Sequence, residues 1–380
     1  MDFEYSDDQQ QLRDAVAKWV EKDYGFARRQ AIVKAGGFSR ETWGQMAELG
    51  LMGLAVPEAH GGMGFGPVEA MVVMEELGRG IVLEPYAPVA LVAGSLLGGH
   101  APEEVQAEWL PRLAGGEAIV VLAHQEREAR YVLRHVNTSA RRQGDEWRVS
   151  GTKSVVPVGD QADAYIVSAR VSGAVDDSQG IGLFLVERGA SGVSTRGYPT
   201  QDGGRAAEVS FADAPARLLV GPDDGYFALE TAADVGIAAL CAEAVGAMDQ
   251  LLKVTVEYLN TRKQFGVTIG SFQALRHRVA DMKMQLELAR SMSYYATLKL
   301  NDDPAQRRRA ISQAKVQLGQ AMRFVGQQSI QLHGGIGVTE EYIAGHYFKR
   351  LTCIEMSFGD TLHHLAEVSA RMQDTAGVFA

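Results

Sequence analysis

Cysteine is scarce in this chain. Cys241 and Cys353 are the only two in 380 residues; they lie far apart and outside any paired motif, which excludes a disulfide framework and a zinc-type ligand set. Both read as buried small hydrophobes. An excess of positive charge is also missing: Lys+Arg 37 against Asp+Glu 47 leaves a formal net charge of −10, so there is no general basic face for nucleic acid. No uninterrupted apolar stretch approaches the ~20 residues of a membrane span. The opening Met1-Asp2-Phe3-Glu4-Tyr5 is acidic and has no basic segment followed by an apolar one, so no signal peptide is expected. Internal repeats and low-complexity tracts are absent too. Together these absences point to a cytoplasmic, reduced protein. The rest is ordinary globular composition, 46% hydrophobic and 22% charged, long enough for two or three domains and an interior able to hold a large ligand.

The texture changes twice along the chain. From about Ser6 to Leu113 the pattern is helical: Ser6-Asp7-Asp8 supplies an N-cap and first-turn acids, and Leu12, Val16, Trp19 and Val20 recur at helical steps. A proline- and glycine-bearing loop from Val56 to Gly66 interrupts it. From Ala118 to about Asp224 short β-branched runs take over, at 119–122, 147–149, 165–167 and 181–186, with turns such as Gln143-Gly144-Asp145 between them. From Tyr226 long helical runs return, at 228–262, 272–300 and 304–332, with a last helix from about Asp360. The expected fold is α+β, mainly α: an N-terminal helical domain (1–117), a middle antiparallel β-barrel or sandwich (118–224) and a C-terminal four-helix bundle (225–380).

Two segments of the helical part carry chemistry. Gln331-Leu332-His333-Gly334-Gly335-Ile336-Gly337 closes a helix with glycines that let backbone amides approach a ligand, although such a turn also serves merely to cap a helix. Upstream stand Arg262-Lys263-Gln264-Phe265-Gly266 and Phe272-Gln273. Arg262 suits a pyrophosphate as a bidentate donor, Gln264 and Gln273 offer amides, and Phe265 a flat apolar face. Taken singly, Arg262 and Gln264 fit a solvated face equally well, and Phe265 fits a core. Adjacent His363 and His364 point to different sides of a helix and lack companions at ligand spacing, so no metal is expected.

Taken with Glu48-Leu49-Gly50-Leu51, Val56 to Gly64, Glu75-Glu76-Leu77-Gly78-Arg79 and Val149-Ser150-Gly151-Thr152-Lys153, these segments resemble the acyl-CoA dehydrogenase family of flavoproteins. The resemblance covers nearly the whole chain and implies FAD, gripped at its adenosine-diphosphate half by Arg262, Gln264, Phe265, Gln273, Gln331, His333, Gly334 and Gly335. It also implies an acyl-CoA thioester as substrate, whose phosphates need only a local basic patch, and an electron-transfer flavoprotein or similar acceptor.

In the family, the α proton is taken by the glutamate of a Tyr-Glu-Gly-Thr motif. That motif falls here on Ser357-Phe358-Gly359-Asp360, with phenylalanine in the glutamate's place. The alternative family location falls on Gly236-Ile237, neither of which accepts a proton. Asp360, Asp234, Glu230 and Glu243 are the nearest carboxylates; Asp360 is the best base among them, and it also reads as the N-cap of the following helix. The family's flavin-ring turns correspond to Gln125-Glu126-Arg127, Ala129-Arg130-Tyr131 and Val155-Val156-Pro157, where proline donates no backbone hydrogen bond and valine does not stack.

A chain that keeps the nucleotide grip and drops the ring site resembles the small subunit of heterotetrameric bacterial acyl-CoA dehydrogenases, partnered by a homologous large subunit. Two alternatives stay open: a self-sufficient dehydrogenase using Asp360, and a flavin-free structural or CoA-binding protein on the same scaffold.

Overall fold

The computed structural model describes residues 5–372; residues 1–4, which carry most of the N-terminal reading, lie outside them. Helices α1 (Asp7–Asp23), α2 (Phe26–Lys34), α3 (Arg40–Glu48), α4 (Pro67–Arg79), α5 (Gly94–His100) and α6 (Glu103–Ala114) come first. Strands β1 (Val120–Ala123), β2 (Ser139–Gln143), β3 (Glu146–Pro157), β4 (Ala164–Arg170), β5 (Ile181–Glu187), β6 (Val193–Pro199) and β7 (Arg205–Val220) follow. Then come α7 (Gly225–Thr261), the short strands β8 (Lys263–Gln264) and β9 (Val267–Thr268), α8 (Gln273–Leu298), α9 (Pro304–His333), α10 (Ile343–Met356) and α11 (Thr361–Ala370). The α+β, mainly helical class with a sheet in the middle is the observed one.

The chain forms two compact units. The first takes residues up to Gln30, Pro67–Val82 and those from Ile237 onward. Its core is one cluster in which Met248 and Leu251 of α7, Met282 and Leu286 of α8, Leu318 and Val325 of α9, and Leu351 and Ile354 of α10 meet, each pair spaced so that both side chains share a helix face. α7 is long and apolar enough to cross a membrane, contrary to the expectation that no stretch approaches that length, and most of its apolar window is buried inside the protein. α4 and α7 touch backbone to backbone through glycines. A Cβ on Gly246 would stand 1.8 Å from the Glu75 carbonyl oxygen, and one on Gly78 2.1 Å from that of Glu243, so no side chain fits at either position. α1 starts as its sequence signals: Gln9 N donates to Ser6 Oγ at 3.3 Å and Ser6 N to Gln9 Oε1 at 3.0 Å, a reciprocal capping box.

The second unit takes Ala31–Gly66 and Leu83–Gly236. Its sheet runs β1-β4-β2-β3-β7-β5, with β6 added on β7 and β5 returning to pair with β4, so the ladder closes on itself. Pairing is antiparallel except where β1 and β2 meet β4 in parallel. The apolar runs at 164–170 and 181–186 are buried on both faces, as strands of a closed, covered sheet should be. Between β3 and β7 the register slips from Lys153 to Val156, which leaves Val155 out of the ladder at φ 53° and 46% exposed. A β-branched residue in that conformation marks a bulge.

One expectation about cysteine is corrected. Cys241 is buried, whereas Cys353 is partly exposed, because the buried stripe of α10 runs through Tyr347, Leu351 and Ile354 and Cys353 lies off it.

Candidate functional site

α7 ends where Arg262 N donates to Tyr258 O at 2.9 Å, and the chain returns when Ile269 N donates to Arg262 O at 2.8 Å. Between them Lys263 pairs with Thr268 and Gln264 with Val267. The two-residue tip is Phe265 (φ 53°) and Gly266 (φ 82°), both left-handed as a type I′ hairpin turn requires. Glycine enters that region freely; phenylalanine pays about 1–2 kcal/mol. Phe265 is nevertheless 92% exposed, its ring 6.2 Å from that of Phe272 in an edge-to-face arrangement. Arg262, Gln264 and Gln273 are exposed beside it.

α9 ends at the same end of the bundle. His333 lies between Tyr258 of α7, at 4.6 Å between ring centroids, and Tyr342, at 5.0 Å. Its Nδ1 stands 2.8 Å from the Ser329 carbonyl oxygen, so Nδ1 carries the proton and donates. Burial holds its pKa below the usual histidine value. Only 3% of this residue is exposed. The structure therefore places His333 inside, as the spacer that joins the two helix ends, apart from the outward-facing Gln331, Gly334 and Gly335. Gly334 has φ 61°, and nothing lies within 4 Å of where a Cβ would stand on it or on Gly335. These backbones are open to an incoming group.

The carboxylates behave as structural groups. Asp360 Oδ1 accepts from His363 N at 2.8 Å and caps α11, the second of the two roles its position allows. Glu243 takes Arg350 through both oxygens, at 2.5 and 2.7 Å. Glu230 receives the Tyr226 hydroxyl at 3.4 Å, and Asp234 is completely buried. Phe358 is half-buried at φ 55°, packed against the bundle core, and Ile237 belongs to that core.

In the second unit the segments compared with flavin-ring turns are tied to a buried ion pair that the sequence reading did not find. Lys153 Nζ donates to Glu126 Oε1 at 2.7 Å, to Ser168 Oγ at 3.1 Å and to the His124 carbonyl oxygen at 3.2 Å. Glu126 also accepts from the amides of Asn137 (2.8 Å) and Thr138 (3.0 Å). Burial pushes Lys153 down to about 8 against the pull of Glu126. Burial alone would raise Glu126, but Lys153 and the two amides outweigh it and hold the carboxyl below its usual range. The pair is charged at neutral pH and serves to fix the 124–126 segment that follows β1, since Ser154 N donates to Gln125 O at 2.8 Å beside it. The local sequence carried no signal for it, since Glu126 stands in His124-Gln125-Glu126-Arg127-Glu128 and Lys153 in Gly151-Thr152-Lys153-Ser154.

Comparison with known proteins follows this geometry. Models of acyl-CoA dehydrogenase domains match consecutively: the N-terminal domain over residues 6–117, the middle domain over 122–214 and the C-terminal domain over 223–373. The chain is 30% identical over 365 residues to mitochondrial isovaleryl-CoA dehydrogenase of Pongo abelii, covering 93% of this chain and 86% of that protein. Among solved structures it is similar to the Tcur3481–Tcur3483 steroid ACAD (TM-score 0.88, 29% identity, 97% of this chain and 99% of that one). It is also similar to the ChsE4–ChsE5 complex of Mycobacterium tuberculosis (TM-score 0.89, 27% identity, 99% and 100%).

Proposed function

The chain belongs to the acyl-CoA dehydrogenase family, and on that premise we propose that it is the partner subunit of an unlike-subunit dehydrogenase. In this reading it supplies the adenosine-diphosphate half of an FAD site in an α2β2 tetramer, and a homologous large subunit supplies the base and the ring-binding turns. The family reaction is α,β-dehydrogenation of an acyl-CoA thioester, with electrons passing on to an electron-transfer flavoprotein or similar acceptor. The functional division is 1–117, 118–224 and 225–380, and the site of action is the cytoplasm.

The observation that carries the reading is Phe265. A phenylalanine that is 92% exposed in a left-handed turn bears a conformational cost and leaves its apolar surface in water, with only the edge of Phe272 against it. A flat aromatic ligand would offset both. The neighbouring donor set suits a dinucleotide. Arg262 brings a guanidinium able to fork onto a pyrophosphate, Gln264, Gln273 and Gln331 bring amides, and Gly334 and Gly335 leave their backbones unobstructed. FAD, when bound, supplies the hydride acceptor.

In this reading the described residues of this chain leave proton abstraction to the large subunit. Phe358 stands where the resemblance puts the glutamate, and a phenyl ring takes no proton. Asp360 is engaged in capping, with its Oδ1 on His363 N. The test is Asp360→Asn in the assembled complex. Asparagine caps about as well as aspartate, so stability should change by less than ~1 kcal/mol and turnover should persist. A fall of roughly 10²–10⁴ in rate with FAD still bound would make Asp360 the base and the chain a self-sufficient enzyme. The visible spectrum of the purified complex decides the remaining alternative, since a colourless complex would mean a flavin-free scaffold.

A further inference from the structure

The turn between α10 and α11 is held far more firmly than a connection of that length requires. Lys315, on α9 and only 1% exposed, directs Nζ at the carbonyl oxygens of Ile354 (2.9 Å), Glu355 (2.9 Å), Ser357 (2.8 Å) and Gly359 (3.0 Å). His364 of α11 takes the carbonyl between the last two, with Nε2 3.1 Å from Phe358 O and Nδ1 3.3 Å from Ser312 Oγ. A carbonyl only accepts, so Nε2 carries the proton and Nδ1 receives the hydroxyl's.

Burial, reinforced by the charge of Lys315, pushes His364 down to about 3, so the ring is neutral. Burial also brings Lys315 down to about 8, with Cys241, Glu355 and Asp360 pulling the other way, and it remains charged at neutral pH. Ile354 and Glu355 lie in the last turn of α10, at the negative end of its dipole, and the Ile354 carbonyl already accepts from Ser357 N at 3.1 Å. An ammonium from a neighbouring helix adds a charged donor there and reaches past it into the turn.

The conformation so held is an unusual one. Phe358 has φ 55° and Gly359 φ 111°. A Cβ on Gly359 would lie 2.5 Å from His363 Cδ2 and 2.7 Å from His364 Nε2, so the turn closes only over glycine. Side chains already cap α11, with Asp360 Oδ1 accepting from His363 N at 2.8 Å and Glu355 Oε1 from Thr361 N at 3.1 Å; starting that helix does not require carbonyl capture on both sides of Phe358. The position so fixed is the one where the resemblance puts the reacting carboxylate.

We propose that Lys315 is a positioning residue which, with His364, locks the 357–359 turn so that the side chain at position 358 is presented in one fixed orientation. The inference rests on the function proposed above only in the meaning given to position 358; the clasp itself is a matter of this chain's conformation.

The test uses the full chain with 4-fluorophenylalanine placed at position 358 and read by 19F NMR, with hydrogen exchange of the amides from 358 to 360. The parent protein should give one sharp resonance. Lys315→Met, folded by circular dichroism, should broaden or split it and speed exchange of those amides by at least about tenfold. His364→Leu, which loses the contacts to the Phe358 carbonyl and the Ser312 hydroxyl but keeps the Lys315 contacts, should do the same to a smaller degree. His364→Gln, whose amide donates from a similar place, should restore the single line. If Lys315→Met does not fold, the two His364 variants decide. An unchanged resonance and unchanged exchange in folded Lys315→Met, or indistinguishable Leu and Gln variants, would overturn the proposal. None of these readouts involves flavin or turnover, so they stand or fall separately from the partner-subunit reading.

Discussion

Glu243→Ala should lower the stability of the chain by about 1.5–3 kcal/mol, the order expected when the buried acceptor of a charge-assisted hydrogen-bonded pair is removed. Glu243 is almost fully buried and binds Arg350 Nε and Nη2 through both carboxylate oxygens at 2.5 and 2.7 Å. That two-pronged contact ties α7 to α10 beside the backbone-to-backbone approach of Gly78 on Glu243 O. Alanine removes both of these acceptors from Arg350 and leaves a gap where the buried carboxylate stood. Glu243→Gln keeps one acceptor and the volume, so it should cost less. Chemical denaturation followed by circular dichroism gives the comparison. A loss below ~1 kcal/mol for the alanine variant would mean that the pair behaves like an ordinary surface bridge.

The second large effect concerns the ligand rather than the fold. Arg262→Ala in the assembled protein should cost about 1.5–3 kcal/mol of FAD binding, the value of a charge-assisted hydrogen bond. This corresponds to a roughly tenfold to hundredfold rise in Kd. Stability of the protein without flavin should move by less than ~0.5 kcal/mol, because the side chain is exposed and buries little on folding. Equilibrium dialysis against FAD, alongside a thermal melt, separates the two quantities. Equal losses in both would make Arg262 a structural residue, and unchanged affinity would remove the helix end from the cofactor.

Much of this was legible in the sequence because the signals were local. The helical run read over 228–262 ends beside the Arg262-Lys263-Gln264-Phe265-Gly266 segment, and α7 ends there, at Thr261. Asp360 reads as a cap, and its carboxylate caps. Strands 164–170 and 181–187 announce themselves as apolar, β-branched runs.

What stayed hidden depends on distant partners. β7 contains Ala212-Asp213-Ala214-Pro215, which breaks its alternation, and β6 is mostly exposed; β7 is a strand because β3 and β5 pair with it, and β6 because it pairs with β7. The parallel meeting of β1 with β4 is likewise a fact of pairing, not of composition. α10 is a helix that its sequence advertised weakly. His333 sits in a turn motif that looks outward on paper, yet its ring is drawn inside by Tyr258 and Tyr342. Lys153 with Glu126, and Lys315 with the carbonyls around Phe358, lie across gaps of 27 and up to 44 residues that no local pattern bridges.

The central claim is that this chain grips a flavin whose chemistry is completed elsewhere, and co-purification with a homologous large subunit followed by flavin counting and acyl-CoA turnover tests it most directly. The expected result is one FAD per unlike pair, turnover by the complex with an acyl-CoA, and little or none by this chain purified alone. Full turnover by the isolated chain with any acyl-CoA would contradict it.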